Sequence, residues 1–289
     1  MNVYHYDAFA SKPNKGNPAG VVLNADDLNE QMMQSIAKKV GFNETAFILK
    51  SDVADIGIRY FTPGHEMDLC GHGTIASVIA LYENENNITI KTIETKAGIL
   101  EIDVSKKESG EIFVCMQQVN AQFIEYEGNV SELANVIGLS ENDIDKSIPI
   151  VYGSTGIWTL LVPIKNLQSF KKMKPDNKSF QNILTQNNHA SIHPFCLETY
   201  RHNSSMHGRH FSSSFSGTVE DITTGTASGV MGAYYMKYLS EKDELCLIVE
   251  QGQELEKDGQ VCVAVKKVDS NIEVKIKGTA VFVKKIENI

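Results

Sequence analysis

The stretch EMDLCGHGTIAS, from Glu66 to Ser77, places a thiol and an imidazole in a turn with two glycines. A thiol or an imidazole there could carry a proton, act as a nucleophile or bind a metal ion. Cys70 alone fits a small buried side chain better than a nucleophile. His72 lies between the two glycines, where core filling does not explain it. We therefore predict that His72 contacts the substrate or transfers a proton, with a structural hydrogen bond as the alternative.

A second turn of the same kind, TTGTASG, begins at Thr223. Each turn follows an extended run and leads into a helix, so each offers unpaired N–H groups and the positive end of a helix dipole to an anion. If the two parts of the chain face each other, the turns converge on a cleft suited to a small carboxylate. Thr224 stands where a two-thiol enzyme would need its second cysteine, and a hydroxyl is too weak an acid for that role. The residues therefore do not support a two-thiol mechanism.

Two carboxylates accompany these turns. Glu44, in GFNETAF, follows a predicted helix and opens an apolar strand, and Asp221 comes two residues before TTGTASG. Either one could be an ordinary surface or helix-end charge, and the residues alone leave that open. If Glu44 is an acid/base group, we expect Phe42, Ala46 and Phe47 to keep water away from its carboxylate.

The remaining histidines are concentrated in one part of the chain. His189 and His193 are four residues apart, and three more follow: His202, His207 and His210. A zinc site would need the first pair on a helix and a third ligand supplied by the fold. Pro194 interrupts any such helix, and the surrounding segment is polar and rich in asparagine. We therefore predict an irregular, solvated loop from Gln181 to Ser205 and no metal site.

The elements that must position these groups are a mixture of helices and strands. One helix is predicted from Asn29, as N-cap, to a stop at Gly41. Two further helices, Gly73–Glu83 and Thr226–Leu239, are apolar on most sides, as a helix inside a sheet should be. The order of elements in the first half recurs in the second half at an offset of roughly 150 residues, which indicates two similar lobes.

We therefore predict an α/β (α+β) fold with two pseudo-symmetric lobes, each a sheet wrapped around a central helix. The N-terminal lobe is expected to span residues 1–118 and to be completed by a C-terminal strand at residues 279–289. The C-terminal lobe is expected to span residues 119–278.

The composition argues against several classes of function. A content of 42% hydrophobic and 22% charged residues is typical of globular proteins, and the net charge of −9 argues against nucleic acid or an anionic membrane as a partner. No apolar run approaches the roughly 18 residues that span a bilayer, and the N-terminal residues show no signal-peptide pattern. Five scattered cysteines without a C-x-x-C pair argue against a disulfide framework. We expect a cytoplasmic protein.

Five motifs occur in the order expected of PhzF-like (phenazine biosynthesis) proteins: GNPAGVVL, GFNETAFI, RYFTPGHEMDLCGHGTIASV, VEDITTGTASG and VEQG. The resemblance runs from Val3 to about Val283, and PhzF-like proteins share their two-lobed fold with diaminopimelate epimerase. It implies isomerase or epimerase chemistry without a cofactor, and a homodimer. One glutamate acts as the general acid/base, and this role falls on Glu44.

The same resemblance assigns the other site residues. His72 matches the family's cleft histidine and Asp221 its second-lobe aspartate, and both are expected to orient the substrate or relay its proton. We expect the substrate carboxylate to be held at one of the two turns. The candidate substrate-binding residues are Gly71, Gly73, Thr74, Gly225 and Thr226.

Departures from the family pattern in two motifs leave the substrate open. The family usually reads Asp-Pro-x-Thr-Gly-Ser where this chain has DITTGT, so Ile222 replaces proline and Thr226 replaces serine. The Gly-Arg-Pro expected after EQG is also missing. The function predicted from the sequence is thus a cofactor-independent isomerase or epimerase that transfers a proton on a small carboxylate-bearing metabolite. The alternative is a non-catalytic protein that binds a small carboxylate on the same fold.

Overall fold

The computed structural model describes residues 1–85, 88–216, 218–287 and 289, and the chain forms two compact units. The first unit combines Met1–Gln117 with Lys277–Ile289, and the second is Gln118–Ile276. The helices are α1 (Glu30–Val40), α2 (Gly71–Asn84), α3 (Val130–Val136), α4 (Phe180–Ile183) and α5 (Gly225–Tyr238). The strands are β1 (Val3–Ala8), β2 (Asn17–Val22), β3 (Glu44–Leu49), β4 (Ile56–Phe61), β5 (Glu66–Met67), β6 (Thr92–Thr95), β7 (Gly98–Lys106), β8 (Ile112–Gln117), β9 (Gln122–Glu125), β10 (Val151–Ser154), β11 (Trp158–Pro163), β12 (Ser191–Cys196), β13 (Met206–Gly208), β14 (His210–Phe211), β15 (Glu220–Asp221), β16 (Glu244–Gln251), β17 (Gly259–Val268), β18 (Asn271–Gly278) and β19 (Ala280–Ile286).

The sheet of the first unit encloses α2. β1 lies antiparallel between β2 and β19, β2 runs parallel to β3, and β3 continues antiparallel to β4. β4 pairs with β5 and β6, and β7 links β6 to β8. α2 packs against five strands of this unit, and every residue from His72 to Leu81 is buried. This stretch contains no charged residue other than the histidine, so it can be enclosed on all sides.

α1 packs on the same unit from another side through Met33, Ile36 and Ala37. The Asn29 side chain accepts a hydrogen bond from the N–H of Met32 at 2.9 Å and so caps the first turn. Gly41 ends the helix with a φ of 73°, a left-handed conformation that glycine adopts without strain. The predicted start and stop of this helix are confirmed.

The sheet of the second unit is arranged around α5. β10 lies antiparallel between β9 and β11, β11 runs parallel to β12, and β12 pairs antiparallel with β13 and β14. β13 runs parallel to β16, which forms a long antiparallel pair with β17. α5 packs against β10, β16 and β17, and most of its residues are buried.

These units confirm the predicted fold class, a mixed α/β fold in which sheet surrounds a central helix. The predicted spans of both central helices agree with α2 and α5 to within two residues. Within the residues that the structure describes, no helix has both the length and the apolar character needed to cross a membrane.

The predicted loop from Gln181 to Ser205 is wrong at its centre. β12 lies within this segment, and all six of its residues are buried. The polar, asparagine-rich flanks conceal a short apolar run that includes Ile192 and Phe195. Pro194 lies where the neighbouring strand is interrupted between β13 and β14, a position that tolerates proline, and its carbonyl accepts a hydrogen bond from the N–H of Arg209 at 3.1 Å.

Candidate active site

Glu44 and His72 meet at the junction of two elements of the first unit. Glu44 is the first residue of β3, placed opposite Ala19 of β2 by the parallel register. His72 is in the first turn of α2, and its Nε2 lies 2.9 Å from Oε2 of Glu44. The side chains of His72 and Glu44 are 9% and 18% exposed, respectively, and Oε2 of Glu44 is itself buried, so this ion pair is largely shielded.

Cys70 forms the N-cap of α2 and also contacts the histidine. Its Sγ accepts a hydrogen bond from the N–H of Gly73 at 3.3 Å, the position that a hydroxyl or carboxylate oxygen usually occupies. The same sulfur lies 3.5 Å from Nδ1 and 3.7 Å from Nε2 of His72. Cys70 is buried, as predicted from the sequence, but its sulfur contacts polar atoms of His72 and Gly73.

The charges of this group set the protonation of the imidazole. Burial by itself lowers the pKa of His72, but Cys70 and Glu44 outweigh it and hold that pKa well above its ordinary value. Burial raises the pKa of the Cys70 thiol, and His72 only partly opposes this. A thiol whose pKa is raised is neutral near pH 7. Besides Cys70, the Glu44 carboxylate favours a proton on His72.

Asn17 also contacts this histidine, although nothing in the sequence singles it out. It is the first residue of β2, it is fully buried, and its Nδ2 lies 3.4 Å from Nδ1 of His72. The GNPAG motif that contains Asn17 marks its position in the chain but not this contact. The imidazole is thus fixed on both sides, with Nδ1 toward Asn17 and Nε2 toward Glu44.

The expected shielding of Glu44 is only partly correct. Ala46 lies on the same face of β3 as Glu44 and is fully buried. Phe47 points to the opposite face, where it packs with Met33 of α1 and forms an edge contact with Phe61 at 5.5 Å. Alternation along the strand therefore prevents Phe47 from covering the carboxylate. Phe42 is half-buried and packs on the ring of His5 at 4.4 Å.

The other predicted residues of the first turn are built into the turn itself. The hydroxyl of Thr74 donates to the carbonyl of Cys70 at 2.7 Å and lies 2.6 Å from the hydroxyl of Tyr60. The backbone N–H of Thr74 also donates to the Cys70 carbonyl. Gly73 lacks a Cβ where one would lie 3.2 Å from the Tyr60 ring. Gly71 begins the helix beside them.

The predicted residues of the second unit form their own cluster at the start of α5. The hydroxyl of Thr224, the N-cap residue, donates to Oδ2 of Asp221 at 2.6 Å. The Gln251 side chain donates to the Asp221 carbonyl at 2.7 Å and accepts from the Thr224 N–H at 3.2 Å. Gly225 is buried, and the carbonyl of Thr226 accepts from the hydroxyl of Thr155 at 3.1 Å.

The remaining histidines are not all in a solvated loop, contrary to the prediction. His193 is fully buried in β12, with Nδ1 3.1 Å from Nδ1 of His210 and Nε2 2.8 Å from Sδ of Met231. Burial, with the neighbouring histidines, lowers the pKa of His193 well below its ordinary value. His189 is exposed and stacks on Phe215 at 4.3 Å. The pair therefore does not share a helix, as a zinc site of this spacing would require.

His207 lies between two glutamates that were not predicted to contact it. Its Nδ1 is 3.4 Å from Oε1 of Glu250, and its Nε2 is 3.2 Å from Oε1 of Glu254. His207 and Glu250 are fully buried. Burial opposes the charge on the ring, but the two carboxylates prevail and raise the pKa of His207. In the sequence, this contact is indicated only by the spacing of Glu250 and Glu254 in EQGQELE.

Comparison with known proteins identifies the family. The family model described as phenazine biosynthesis-like protein matches residues 6–285, and the chain belongs to this family. An uncharacterised isomerase, YfhB, from Bacillus subtilis (strain 168) is 50% identical over 282 residues, which cover 97% of this chain and 96% of that protein. The fold and its relatives thus define an isomerase.

Two further relatives add a structure and a named reaction. A crystal structure of the Bacillus anthracis phenazine biosynthesis protein of the PhzF family has a TM-score of 0.96 at 56% identity and covers 100% of this chain and 99% of that chain. The trans-2,3-dihydro-3-hydroxyanthranilate isomerase of Pseudomonas chlororaphis is 29% identical over 240 residues, 82% of this chain and 81% of that protein.

Proposed function

We propose that this protein is a cofactor-independent isomerase that transfers a proton on a small carboxylate-bearing metabolite, with Glu44 as the general acid/base. The observation that carries the proposal is the 2.9 Å ion pair between Glu44 and His72 at the start of α2. It joins a proton carrier, a protonated partner and a helix N-terminus in one place.

Each of the three groups has a role that follows from its chemistry. Glu44 removes a proton from a carbon of the substrate and returns it at another position, so the substrate is rearranged without gain or loss of electrons. A protonated His72 forms an ion pair with the carboxylate and stabilises its negative charge between turnovers. Cys70 is neutral near pH 7, because burial raises the pKa of its thiol, and so it does not compete as a base.

The class of substrate is inferred from the positive electrostatic potential at the start of α2 and from the substrate named for a relative. The positive end of the α2 dipole favours a negative group of the substrate near Gly71. The substrate named for the Pseudomonas chlororaphis relative is an anthranilate derivative, hence a carboxylate. We propose only that the substrate is a small carboxylate. We do not propose the same compound, because Ile222 and Thr226 depart from the family pattern.

The second unit adds candidate residues whose roles rest on the family resemblance. The hydroxyl of Thr224 donates to the Asp221 carboxylate and so fixes its orientation, while Gln251 holds the Asp221 backbone carbonyl. A fixed carboxylate is suited to positioning a substrate donor group. Asp221→Asn keeps the shape of the side chain and removes its charge, and it should raise KM more than it lowers the rate of proton transfer.

Solvent deuterium incorporation into a panel of small carboxylates tests the function even while the product is unidentified. Glu44→Gln keeps the size of the side chain and removes the proton carrier, so exchange should fall by about 10²–10⁴-fold. Glu108→Gln, an exposed glutamate of the same unit, serves as the control and should exchange at the wild-type rate. Unchanged exchange in Glu44→Gln would refute the mechanism. A carboxylate that binds the wild type without any exchange would instead identify a binding protein.

A further inference from the structure

Three titratable side chains form a row across neighbouring strands of the second unit: His193 of β12, His210 of β14 and Asp221 of β15. The register places His210 opposite Asp221, and directly opposite residues of an antiparallel pair point to the same face. β12 pairs with β14 at Ile192 and Phe211, so the next residues in register are His193 and His210. We call these three side chains the His–Asp row. The proposed mechanism uses Asp221 but gives neither histidine a role.

The two imidazoles of the row meet end-on. Nδ1 of His193 lies 3.1 Å from Nδ1 of His210. The ring centroids are 5.3 Å apart, which exceeds the distance between the two nitrogens by about one ring diameter, so the nitrogens point at each other and the rings are not stacked. One proton fits between two nitrogens at this distance, so one ring donates and the other accepts.

Met231 of α5 determines which of the two rings donates. Its Sδ lies 2.8 Å from Nε2 of His193, and a thioether sulfur can accept a hydrogen bond but has no hydrogen to donate. Nε2 of His193 must therefore carry a hydrogen. His193 is fully buried, and burial with the neighbouring histidines lowers its pKa well below the ordinary value, so the neutral ring has no second hydrogen. Nδ1 of His193 is thus the acceptor, and Nδ1 of His210 is the donor.

The outer nitrogen of His210 is fixed by the same reasoning. Burial lowers the pKa of His210 although Asp221 opposes this, so the ring is neutral near pH 7 and its one hydrogen is on Nδ1. Nε2 of His210 therefore presents a lone pair. Within the described residues this nitrogen has no hydrogen-bond partner, and it is not fully buried. Nε2 and the Asp221 carboxylate thus lie on one face near the start of α5, where both can accept hydrogen bonds and neither can donate.

We infer that Nε2 of His210, beside the Asp221 carboxylate, accepts a hydrogen bond from a hydroxyl or ammonium group of the substrate and so determines specificity. His193 and Met231 hold the His210 ring in its accepting form. The inference rests on the proposed function, because it concerns the substrate of that reaction. It narrows the substrate to a small carboxylate that also carries a hydrogen-bond donor. An acid without the donor leaves both acceptors unpaired, which is how a polar site rejects an analogue.

NMR of the ring nitrogens in the free, full-length protein tests the tautomers without any substrate. We expect the hydrogen of His193 on Nε2 and the hydrogen of His210 on Nδ1. Met231→Leu keeps the volume but removes the sulfur acceptor, so both arrangements of the pair should become populated. Met236→Leu, at another buried methionine of α5, is the matched control and should leave the tautomers unchanged. A hydrogen on Nδ1 of His193, or a doubly protonated His210 near pH 7, would overturn the inference.

Deuterium exchange into matched carboxylates tests the role of His210 in the reaction. The panel includes sets that differ in one group, such as 3-hydroxybutyrate, 3-aminobutyrate and butyrate, so that hydroxyl and ammonium donors are compared with each other and with neither. Among the acids that the wild type exchanges, those with a donor should exceed the matched acid in kcat/KM by about tenfold or more. His210→Asn reaches only the place of Nδ1, so it should raise KM by about tenfold with little change in kcat. His210→Gln places an acceptor near the position of Nε2 and should retain most of the preference.

The control for these variants is His202→Asn, at an exposed histidine, which should behave as the wild type. Equal kcat/KM for matched acids in the wild type, or an unchanged preference in His210→Asn, would overturn the role of His210. Exchange that survives Glu44→Gln with the preference intact would refute the proposed mechanism but support this role. A wild type that exchanges no acid in the panel would refute the proposed function and the role of His210 in it.

Discussion

His72 and His193 show how a neighbouring group decides the charge of a buried imidazole. Both rings are buried, and burial alone favours the neutral form of a histidine. His72 faces the carboxylate of Glu44, and its pKa is raised well above the ordinary value. His193 faces a second histidine and a thioether, and its pKa is lowered well below that value. Burial acts in the same direction on both rings, so the neighbouring groups decide that His72 is protonated and His193 is neutral.

Glu44→Gln should therefore lower the pKa of His72. The substitution removes the negative charge that opposes burial, so the ring should lose a proton at a lower pH than in the wild type. Ring resonances of the eight histidines, followed by NMR from pH 5 to 9, measure this directly. Glu108→Gln should leave the His72 titration unchanged. A His72 titration that is the same in Glu44→Gln and in the wild type would mean that the carboxylate does not set this charge.

Glu44→Asp should be severely impaired although it keeps the charge. The side chain is shorter by one methylene, so the carboxylate cannot remain at its 2.9 Å contact with Nε2 and also reach a substrate carbon. A misplacement of about 1 Å can cost on the order of 10²-fold in rate. We expect a fall of this size in the deuterium exchange rate, with the affinity for the carboxylate largely retained. Exchange near the wild-type rate would be incompatible with direct proton transfer by Glu44.

At this scale the sequence indicated which residues are candidates for the site, but not their contacts. Glu44 and His72 stood out through their motifs and their neighbouring glycines. Their meeting depends on the register of β3 against β2 and on the start of α2, which no local pattern determines. Asn17 escaped notice for the same reason. A buried asparagine opening a strand becomes informative only when its partner across the fold is known.

α5 illustrates how a helix is fitted into a sheet. Gly229 and Gly232 both face strands, and at Gly232 the distance excludes a larger side chain. A Cβ at Gly232 would lie 2.5 Å from Cγ1 of Val263 in β17, whereas a Cβ at Gly229 would lie 3.2 Å from Cγ1 of Val274. Valine is stiff about χ1 and cannot turn away easily. The close approach of helix and sheet therefore depends on the absence of a side chain at Gly232.

Gly232→Ala should destabilise the protein even though alanine favours helices. Alanine gains about 1 kcal/mol in helix propensity, but overpacking against Val263 costs about 1–3 kcal/mol. Gly229→Ala makes the same propensity gain with a milder contact and should be near neutral. Urea unfolding of both variants compares them under identical conditions. Equal midpoints for the two variants would show that the packing of α5 against β17 is looser than the distances indicate.

The sequence patterns succeeded for long elements and failed for short buried ones. The apolar stretches of α2 and α5 left few alternatives to an enclosed helix. β12 was missed because six buried residues between polar flanks resemble a loop when proline and histidine occur among them. Phe47 was misplaced because its nearness to Glu44 in the chain concealed the alternation that turns it to the other face. In both cases the deciding information lay in the neighbouring strands.

At the scale of the whole molecule, the free energy of unfolding should depend on pH through His207, Glu250 and Glu254. The raised pKa of His207 contributes stability below its unfolded value of about 6.5, and this is lost as the pH rises through the folded value. The lowered pKa values of Glu250 and Glu254 contribute above about 4.5, and this is lost as the pH falls. The group should therefore stabilise the fold most between about pH 4.5 and 6.5.

His207→Gln should be destabilised by about 3–5 kcal/mol near pH 6, because it removes the positive charge that lies between the carboxylates of Glu250 and Glu254. The difference from the wild type should shrink as the pH rises toward 9. Unfolding free energies measured across this range test the sign as well as the size. His202→Gln, at an exposed position, is the control. A difference that grows with pH would contradict a protonated His207.

The pairing of β1 with β19 also determines the order in which the two units can be completed along the chain. The second unit is one continuous stretch, Gln118–Ile276, and all of it is synthesised before β19. β1 is made early but acquires its partner on one side only after residue 280 has emerged. A chain that ends at residue 276 therefore contains the whole second unit but leaves one flank of β1 unpaired. Hydrogen exchange on a released chain truncated after residue 276 should find the second unit protected and β1 open, so that the unit at the start of the chain is the one completed last.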